Sequence, residues 1–436
     1  SMAQIKYLFG FFIALTVLLS GCYSPMALSK ADLTAQAEQE LKQAQTQTLS
    51  ALDPNESKLT ISVEQAMELA QKSSVNLKVR RANVALSEAR IAEAGQIRNP
   101  EIRYSQEKLE SGFGDGSRMD VEFRVRPPRP GEVGARKSIA KAAKRAASAS
   151  LSREKTRVNS RVRTLFREIG FVEAEIKASK ASLTQRKKLV ELAKLRTQRA
   201  LGTQIDVALA EVTFHEAKQD LTELEGEYDL LTKELLRLIG LPQEMTLTLK
   251  QEPLDKLKIE PLAPLQVYIA QALENRLELD IAASRIDAAQ AQTFIEKTQA
   301  WPWFSHIKVG YEMRPDDSFD GAVTGGVALE ISLFSLNGGG IEEAETREHL
   351  RHSEYELEVE DIIAQVQNQY RQVQIAAEAL ITLRDGSKVA AEAATEAARA
   401  AMKAGQVVVQ ELALIEERAA STHRQWLKAL RRYHRE

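Results

Sequence analysis

Leu201-Gly202-Thr203, followed by Asp206-Val207-Ala208-Leu209-Ala210, returns about 203 residues later as Ala404-Gly405-Gln406, followed by Val409-Gln410-Glu411-Leu412-Ala413. The prolines Pro100 and Pro302 repeat at nearly the same offset. Each half then reads as a helix, a proline, two alternating strands, a very long helix, a glycine turn and a returning helix. A period this long indicates a duplicated helix-and-hairpin module rather than a short solenoid repeat.

Composition and charge narrow the class of protein. Lys and Arg number 59 against 61 Asp and Glu in 436 residues, so no basic excess favours nucleic-acid binding. Length alone predicts two or three globular domains, but the duplication predicts two repeats instead. The segments between the landmarks are rich in Ala, Leu, Glu, Lys, Gln and Arg, which favours long helices.

The N-terminal segment has the pattern of an export signal. Lys6 precedes an apolar run over 7–19, and Leu19-Ser20-Gly21-Cys22 is typical of a lipoprotein cleavage box. We therefore expect residues 1–21 to be a signal peptide and Cys22 to be the lipidated residue that opens a polar segment, 22–58. The alternative is a short uncleaved anchor, although about 13 apolar residues fall short of the about 20 that span a bilayer. Cys22 is the single cysteine, which excludes an internal disulfide.

The long helices follow from proline-free stretches with a heptad pattern. Between Gly134 and Ala200 Gly170 is the one glycine, which predicts one helix of about 65 residues and about 100 Å. Its apolar residues are spaced alternately four and three apart, as a coiled-coil seam requires: Val158, Val162, Leu165, Ile169, Val172 and Ile176. The two halves therefore predict antiparallel helical hairpins over 134–240 and 338–436, whose alanines favour packing against further helices.

Two β-hairpins are predicted, over 101–126 and 304–334. Each alternates an apolar face with a charged face, as in a half-buried soluble sheet or a membrane strand. Export, strands of about 8 to 11 residues and the charged second face favour the membrane. The predicted lipid-facing residues are Val121, Phe123, Val125, Ile307, Val309, Tyr311, Val327, Leu329 and Ile331. Four strands cannot close a barrel, and an open edge in lipid is costly, so several chains would have to build one barrel together.

From about Leu59 to the C-terminus the chain resembles the TolC-type outer-membrane efflux channels, and within them the lipid-anchored heavy-metal branch that serves cobalt-zinc-cadmium or copper-silver efflux. The residues that carry the resemblance are the two glycine turns, Leu59-Thr60 with Glu64-Gln65-Ala66, Asn99-Pro100-Glu101, and Leu238-Ile239-Gly240-Leu241-Pro242.

The resemblance implies a mainly α-helical protein with a transmembrane β-barrel. Three chains would each give four strands to one barrel in the outer membrane, and their long helices would continue it as an α-barrel across the periplasm. The implied repeats are 59–240 and 264–436, joined by an equatorial linker, 241–263. The implied partners are two further copies of the chain, outer-membrane lipid, a periplasmic adaptor and an inner-membrane proton-driven pump of the RND type. The cargo stays open between heavy-metal cations and organic drugs.

The glycine turns would be the periplasmic tips. The resemblance implies adaptor docking at Leu201, Gly202, Thr203, Ala404, Gly405 and Gln406. A structural alternative is that glycine permits a positive φ in a tight turn. An acidic ring near the tips would narrow the pore, for which Asp206, Gln410 and Glu411 are the candidates; Asp206 is also suited to capping a helix.

Other chemistry is not predicted. His349 and His352 lie three apart near Glu345 and Glu348, but no third metal ligand has convincing spacing. The glycines over 338–340 lack the Lys-Ser/Thr ending of a phosphate loop. We therefore expect no enzyme, no cofactor and no bound metal. The rival classes are a periplasmic adaptor, which has one hairpin rather than two, and a lipoprotein rod, which needs no proline-bounded strand pairs.

Overall fold

A computed structural model defines the fold over most of the chain. The described residues are 29–50, 58–111, 114–250, 261–313, 321–332, 334–404 and 409–435.

The first half runs from an N-terminal helix to the end of the first helical hairpin. Its elements, in chain order, are α1 (Lys30–Ser50), β1 (Lys58–Ile61), α2 (Val63–Ser73), α3 (Val75–Ala94), β2 (Glu101–Ser111), β3 (Gly114–Val125), α4 (Glu132–Gln198), α5 (Gln204–Ile239) and β4 (Thr246–Leu249).

The second half repeats this order. Its elements are α6 (Leu265–Asn275), α7 (Leu277–Gln299), β5 (Trp303–Met313), β6 (Gly321–Glu330), α8 (Gly338–Thr382), a π-helical segment (Leu383–Lys388), α9 (Val389–Lys403) and α10 (Val409–Arg435). The descending arm of this half is thus divided by a wider turn, whereas α4 in the first half is one uninterrupted α-helix.

Helix α4 confirms the prediction of one very long helix, with 67 residues. Its heptad seam is buried where α4 crosses the middle of the molecule, with Val162 and Leu165 fully buried and Ile169 nearly so. α4 packs against α2, α3, α5, α7 and α10, so it is the element that connects both halves.

The main hydrophobic core lies beside this seam. It joins Leu77 of α3, Leu165 of α4 and Leu235 of α5 to Ile61 and Leu247, which come from a parallel pair formed by β1 and β4. The heptad patterns predicted the helical part of this core. The β1–β4 pair was not predicted, and it ties the start of the first repeat to the linker after it.

Gly240 ends α5 against this core. Its φ of 76° is left-handed, and a Cβ there would lie 2.4 Å from the Cβ of Ser73. The backbone N–H of Leu241 donates to the carbonyl of Leu236 at 2.9 Å, which closes the helix end. The glycine in Leu-Ile-Gly-Leu-Pro is therefore required both by the backbone and by the packing.

The four long strands form one antiparallel sheet in the order β2-β3-β5-β6. Its register places Val121 opposite Tyr311 and Phe123 opposite Val309. The predicted hairpins are confirmed, and the sheet joins them through β3 and β5, so the two repeats lie side by side.

The helices follow the same lateral order as the strands. Next to the sheet the neighbours are α3, α4, α7 and α8, and toward the turns α5 packs on α4, which packs on α10. One flank of the molecule is therefore formed by α3 and α5, and the other by α8.

Charged pairs bridge the two helical hairpins where α10 lies against α4 and α5. Arg424 faces Asp220 at 3.4 Å and Arg431 faces Glu227 at 2.5 Å. Nearer the turns, Arg186 of α4 pairs with Glu417 at 2.8 Å. The charged residues of α10 recur every seven positions, at 417, 424 and 431. The contact between the hairpins is thus largely polar on this side.

Glu175 of α4 is buried beside these pairs. Its Oε1 has no hydrogen-bond partner, and the nearest cation is the Arg431 guanidinium at 3.9 Å. Burial raises the pKa of Glu175, outweighing the opposite effect of Arg431 and Lys428. A carboxyl whose folded-state pKa is raised stabilises the fold least at high pH, because its ionised form is the one that burial penalises.

We expect Glu175→Gln to raise the melting temperature at pH 8, because the neutral amide avoids burying an ionised carboxylate. The gain should shrink as the pH falls and the wild-type carboxyl becomes protonated. Glu227→Gln is the matched control, since it removes a well-formed pair with Arg431 and should lower the melting temperature. Melting curves between pH 4 and pH 8 test this, and a lower melting temperature for Glu175→Gln at pH 8 would contradict it.

Candidate functional site

The four-stranded sheet exposes its apolar face and shields its charged face, which is the reverse of a sheet in a soluble protein. Apolar side chains on one face are open, with Phe123 47%, Val309 56% and Leu329 59% exposed. On the other face the carboxylate of Glu122 and the guanidinium of Arg124 are only 15% and 19% exposed. No described part of the chain covers the apolar face. A soluble sheet would bury this face, so its surroundings must be apolar.

The charged face is held by ion pairs between strands. Glu122 accepts hydrogen bonds from Arg124 at 2.7 Å and from Lys308 of the neighbouring strand at 2.5 Å. Arg118 donates to Glu312, also across β3 and β5, at 2.8 Å. These pairs balance positive and negative charge, and they make this face of the sheet polar.

The structure places eight of the nine predicted lipid-facing residues within the strands. The strand register sets these eight on the apolar face of the sheet: Val121, Phe123, Val125, Ile307, Val309, Tyr311, Val327 and Leu329. Assigning Ile331 to a strand was wrong, because pairing ends at Trp303 opposite Glu330. Ile331 lies just beyond, half exposed. Val323, 78% exposed, was missed because glycines interrupt the alternation around it.

The outer edges of this sheet are unpaired within the described chain. β2 pairs only with β3, and β6 pairs only with β5. Each edge therefore presents a row of backbone N–H and C=O groups that would need partners in an apolar medium.

Three exposed apolar side chains, here called the apolar belt, lie in the connections between the strands and the helices. Trp301 and Ile97 are more than half exposed, and Phe334 is fully exposed. Beside the belt, Arg129 donates to the carbonyl of Thr298 at 3.0 Å and so caps the end of α7. Aromatic side chains at such a level are typical of the headgroup region of a membrane barrel.

The first turn between long helices is held by its own hydrogen bonds. The N–H of Leu201 donates to the carbonyl of Arg196 at 2.8 Å, and the Arg196 guanidinium donates back to the Leu201 carbonyl at 3.0 Å. The left-handed residue is Ala200, with φ 56°, and not Gly202. The structural alternative for Gly202, that glycine permits a positive φ there, is therefore wrong. A Cβ at Gly202 would meet no atom closer than 3.4 Å.

Asp206 belongs to a capping box rather than to the N-cap position. Thr203 is the N-cap of α5, and its N–H donates to the Asp206 carboxylate at 2.8 Å while its hydroxyl lies 2.9 Å from the same oxygen. These hydrogen bonds lower the pKa of Asp206. The carboxylate stays ionised and fixes the start of α5.

The second turn is only partly described. Ala404 is the last described residue of this arm and is exposed, whereas Gly405 and Gln406 lie outside the described residues, as does Cys22. Glu411 is exposed in the first turn of α10, and only the backbone of Gln410 is described. The structure therefore describes the tip residues of the first repeat, but only Ala404 of those of the second.

An apolar stripe runs along α5 beside the first turn. Leu201, Ile205, Leu209 and Val212 are all more than half exposed. Ile205, Leu209 and Val212, spaced four and three apart, lie on one face of α5, and Leu201 lies in the turn just before it. The spacing of these apolar residues is visible in the sequence, but the spacing alone does not tell which apolar face of a helix stays exposed to solvent.

The histidine pair lies on α8 without a metal cluster. Glu345 pairs with Lys297 and Glu348 accepts a hydrogen bond from Thr293, so both acids already have partners. Within the described ranges no group of three His, Cys, Asp or Glu could hold a metal ion. Of the helices that are described, none is long and apolar enough to cross a bilayer.

The long helical hairpins, the β1–β4 pair and the sheet with its exposed apolar face together form the fold of the TolC-type outer-membrane channels. VceC of Vibrio cholerae aligns over 86% of this chain and 93% of its own, with 19% identity and a TM-score of 0.63. The outer-membrane channel OprN aligns over 86% and 89%, with 14% identity and a TM-score of 0.65. CusC aligns over 86% and 89%, with 15% identity and a TM-score of 0.64.

The sequence comparison points in the same direction. Residues 268–436 match the family described as outer membrane efflux protein. A comparison with curated proteins gives no significant match. The chain therefore combines a TolC-like channel fold with the sequence pattern of outer-membrane efflux proteins in its second half.

We expect Leu329→Arg to reduce membrane insertion, because an arginine on the apolar face at mid-bilayer costs about 2 to 4 kcal/mol. Ala328→Arg is the matched control, since the adjacent residue lies on the charged face of the same strand. The measurement is the yield of each variant in outer-membrane fractions. Equal yields of the two variants would place the apolar face in water.

Proposed function

We propose that this chain is the outer-membrane channel of a tripartite efflux pump. The observation that carries the proposal is the sheet, whose apolar face is open while its charged face is ion-paired and shielded. Such a sheet is stable with lipid outside and water inside. The channel performs no chemistry and conducts its cargo passively.

The open sheet edges support a closed barrel made from three copies. Four strands from each of three chains would pair β6 of one copy with β2 of the next, which removes every edge from lipid. The helices carry matching signals. The outward faces of α3 and α8 expose apolar residues about a heptad apart: Val79 and Leu86 on α3, and Leu350 and Leu357 on α8. A second copy is the occupant that buries both flanks at once.

Within this proposal the glycine turns face the periplasm and receive the adaptor. The first turn supports this because its own hydrogen bonds hold its shape, and because Leu201 at its apex is 65% exposed. The backbone conformation at residue 202 does not require glycine. The close approach of a partner is the remaining reason for a glycine at this position. Asp206, Gln410 and Glu411 stay candidates for the ring that narrows the pore.

The cargo and the anchor are further parts of the proposal. Resemblance to the heavy-metal branch suggests heavy-metal cations, with organic drugs as the alternative, and the balanced charge of the sheet favours neither. Lipidation at Cys22 predicts a mature protein that lacks residues 1–21 and carries acyl chains. The intact mass of the purified protein tests this directly.

We expect the detergent-extracted protein to be a trimer that conducts ions in planar bilayers. Leu350→Glu with Leu357→Glu should weaken the trimer, because two added charges at each interface would face the apolar flank of α3 in the next copy. Leu41→Glu is the control, since this half-exposed leucine lies on α1, which is part of neither flank. Light scattering and conductance are the measurements. A non-conducting wild-type monomer would return the adaptor or rod to first place.

We expect Leu201→Glu to abolish efflux while the trimer and its conductance remain, because the side chain points into solvent and touches only the docking partner. Survival of cells in the presence of a toxic cargo, together with conductance of the purified variant, separates docking from pore formation. Full efflux by this variant would show that the apex of the first turn is not a docking surface.

A further inference from the structure

A cavity of about 610 Å³ lies where the four-stranded sheet meets the first turns of α4 and α8, and we call it the junction cavity. The arginines and glutamates that line it are Arg98, Arg126, Arg129, Arg136, Glu132 and Glu330. Four guanidinium groups thus accompany two carboxylates. The balanced charge of the rest of the sheet gives way here to a positive excess.

The charged lining of the junction cavity belongs to the charged face of the sheet. Glu101 stands opposite Arg124 in the register of β2 with β3, and it pairs with Arg126 at 3.1 Å. Arg126 therefore lies on the charged face. Glu330 follows Leu329 of the apolar face, so its side chain also lies on the charged face. In the proposed channel this face is the water-filled side.

Two of the four arginines have partners within the chain. Arg126 is paired with Glu101, as described above. Arg129 donates to the carbonyl of Thr298 at 3.0 Å, and its guanidinium lies 3.4 Å from the Glu330 carboxylate. These two side chains are held in place, so they form the wall of the cavity.

The other two arginines keep donors without acceptors. Arg98 is exposed and has no acidic partner among the described residues. The Nε of Arg136 is buried without a hydrogen-bond partner, and a Glu132 oxygen lies 3.7 Å away. The other oxygen of Glu132 accepts from the backbone N–H of Arg129 at 3.0 Å. A buried N–H without an acceptor is unfavourable, and the oxygen of an anion would satisfy it.

The start of α8 adds potential of the same sign. Asn337 is the N-cap of α8 and lines the cavity, but its side chain makes no cap hydrogen bond. The first turn of α8 also carries no acid to offset the positive end of the helix dipole. It begins with Gly338 and Gly339, and a Cβ on either would have no neighbour within 4 Å. This helix start strengthens the attraction for an anion at the site that the arginines define.

We infer that the junction cavity binds a phosphate or carboxylate group, with the guanidinium groups of Arg98 and Arg136 as its donors. A guanidinium binds such a group through two parallel N–H donors. The inference rests on the proposed channel function and deepens it, because it assigns the cargo to organic anions rather than to heavy-metal cations. In the proposed trimer three junction cavities form one positive ring, which attracts anionic cargo and repels metal cations.

The test measures the binding of radiolabelled inorganic phosphate to the full-length, detergent-extracted protein by equilibrium dialysis. Arg98→Gln with Arg136→Gln should lower the affinity about tenfold or more, because both sets of free donors are lost. Arg285→Gln is the matched control, since it removes an exposed arginine of α7 that does not line the cavity, and it should leave the affinity unchanged.

A single variant guards against misfolding of the double variant. Arg98 is exposed, so Arg98→Gln should preserve the fold and still lower the affinity for phosphate. Arg98→Lys should retain part of the affinity, because lysine keeps the charge and loses the paired donors. Melting curves of each variant accompany the dialysis.

Two further measurements identify the source of the anion. In a gradient of potassium chloride across a planar bilayer, the reversal potential of the double variant should shift toward potassium selectivity relative to the wild type. Phosphorus that copurifies with the protein is also extracted into organic solvent. Lipid phosphorus that is lost in the double variant would show that the cavity holds a lipid headgroup, which would overturn the assignment of the cargo.

Two results of the dialysis would overturn the site itself. One is equal phosphate binding by the wild type and the double variant, and the other is an equal loss of binding in Arg285→Gln. Dialysis does not depend on conduction. A wild-type protein that binds phosphate but does not conduct would therefore count against the channel and not against the site.

Discussion

The burial of α4 along its middle is the interaction on which the rest of the structure depends. Val162, Leu165 and Ile169 bury a continuous seam against α2 and α5, at the level where β1 and β4 close the core. Because α4 extends from the sheet to the first turn, this one seam sets the positions of both ends of the molecule. This core lies between the four-stranded sheet and the first turn, and it fixes the positions of both.

Periodic features could be predicted from the sequence, and features without a period could not. The heptads of α4 gave a helix of about 65 residues, and the strand alternation gave the residues of the apolar face. The alternation also runs past the last backbone pair, which is why Ile331 was placed in a strand. The β1–β4 pair joins four-residue segments far apart in the chain, and such short segments carry no pattern of their own.

The turns show that residue type alone is a weak predictor of backbone conformation. Glycine at 202 suggested a left-handed residue, yet the hydrogen bond from Leu201 to Arg196 places the positive φ on Ala200. Asp206 was correctly associated with the start of α5, but Thr203 takes the N-cap position and Asp206 completes the capping box. In each case the sequence identified the turn, and the hydrogen bonds decided which residue has which conformation.

The duplication makes the differences between the halves informative. Each hairpin combines a long descending arm with a shorter returning helix, so a feature present in one alone is not required by the architecture. Among the described residues the π-helical segment belongs to the second hairpin alone. Exposed charged contacts are screened by salt, whereas apolar contacts are not. The second hairpin is held to the first by both kinds of contact at one level of α10: the apolar cluster of Leu430 with Phe171, and the charged pairs of Arg424 and Arg431. High salt should therefore weaken only part of this contact.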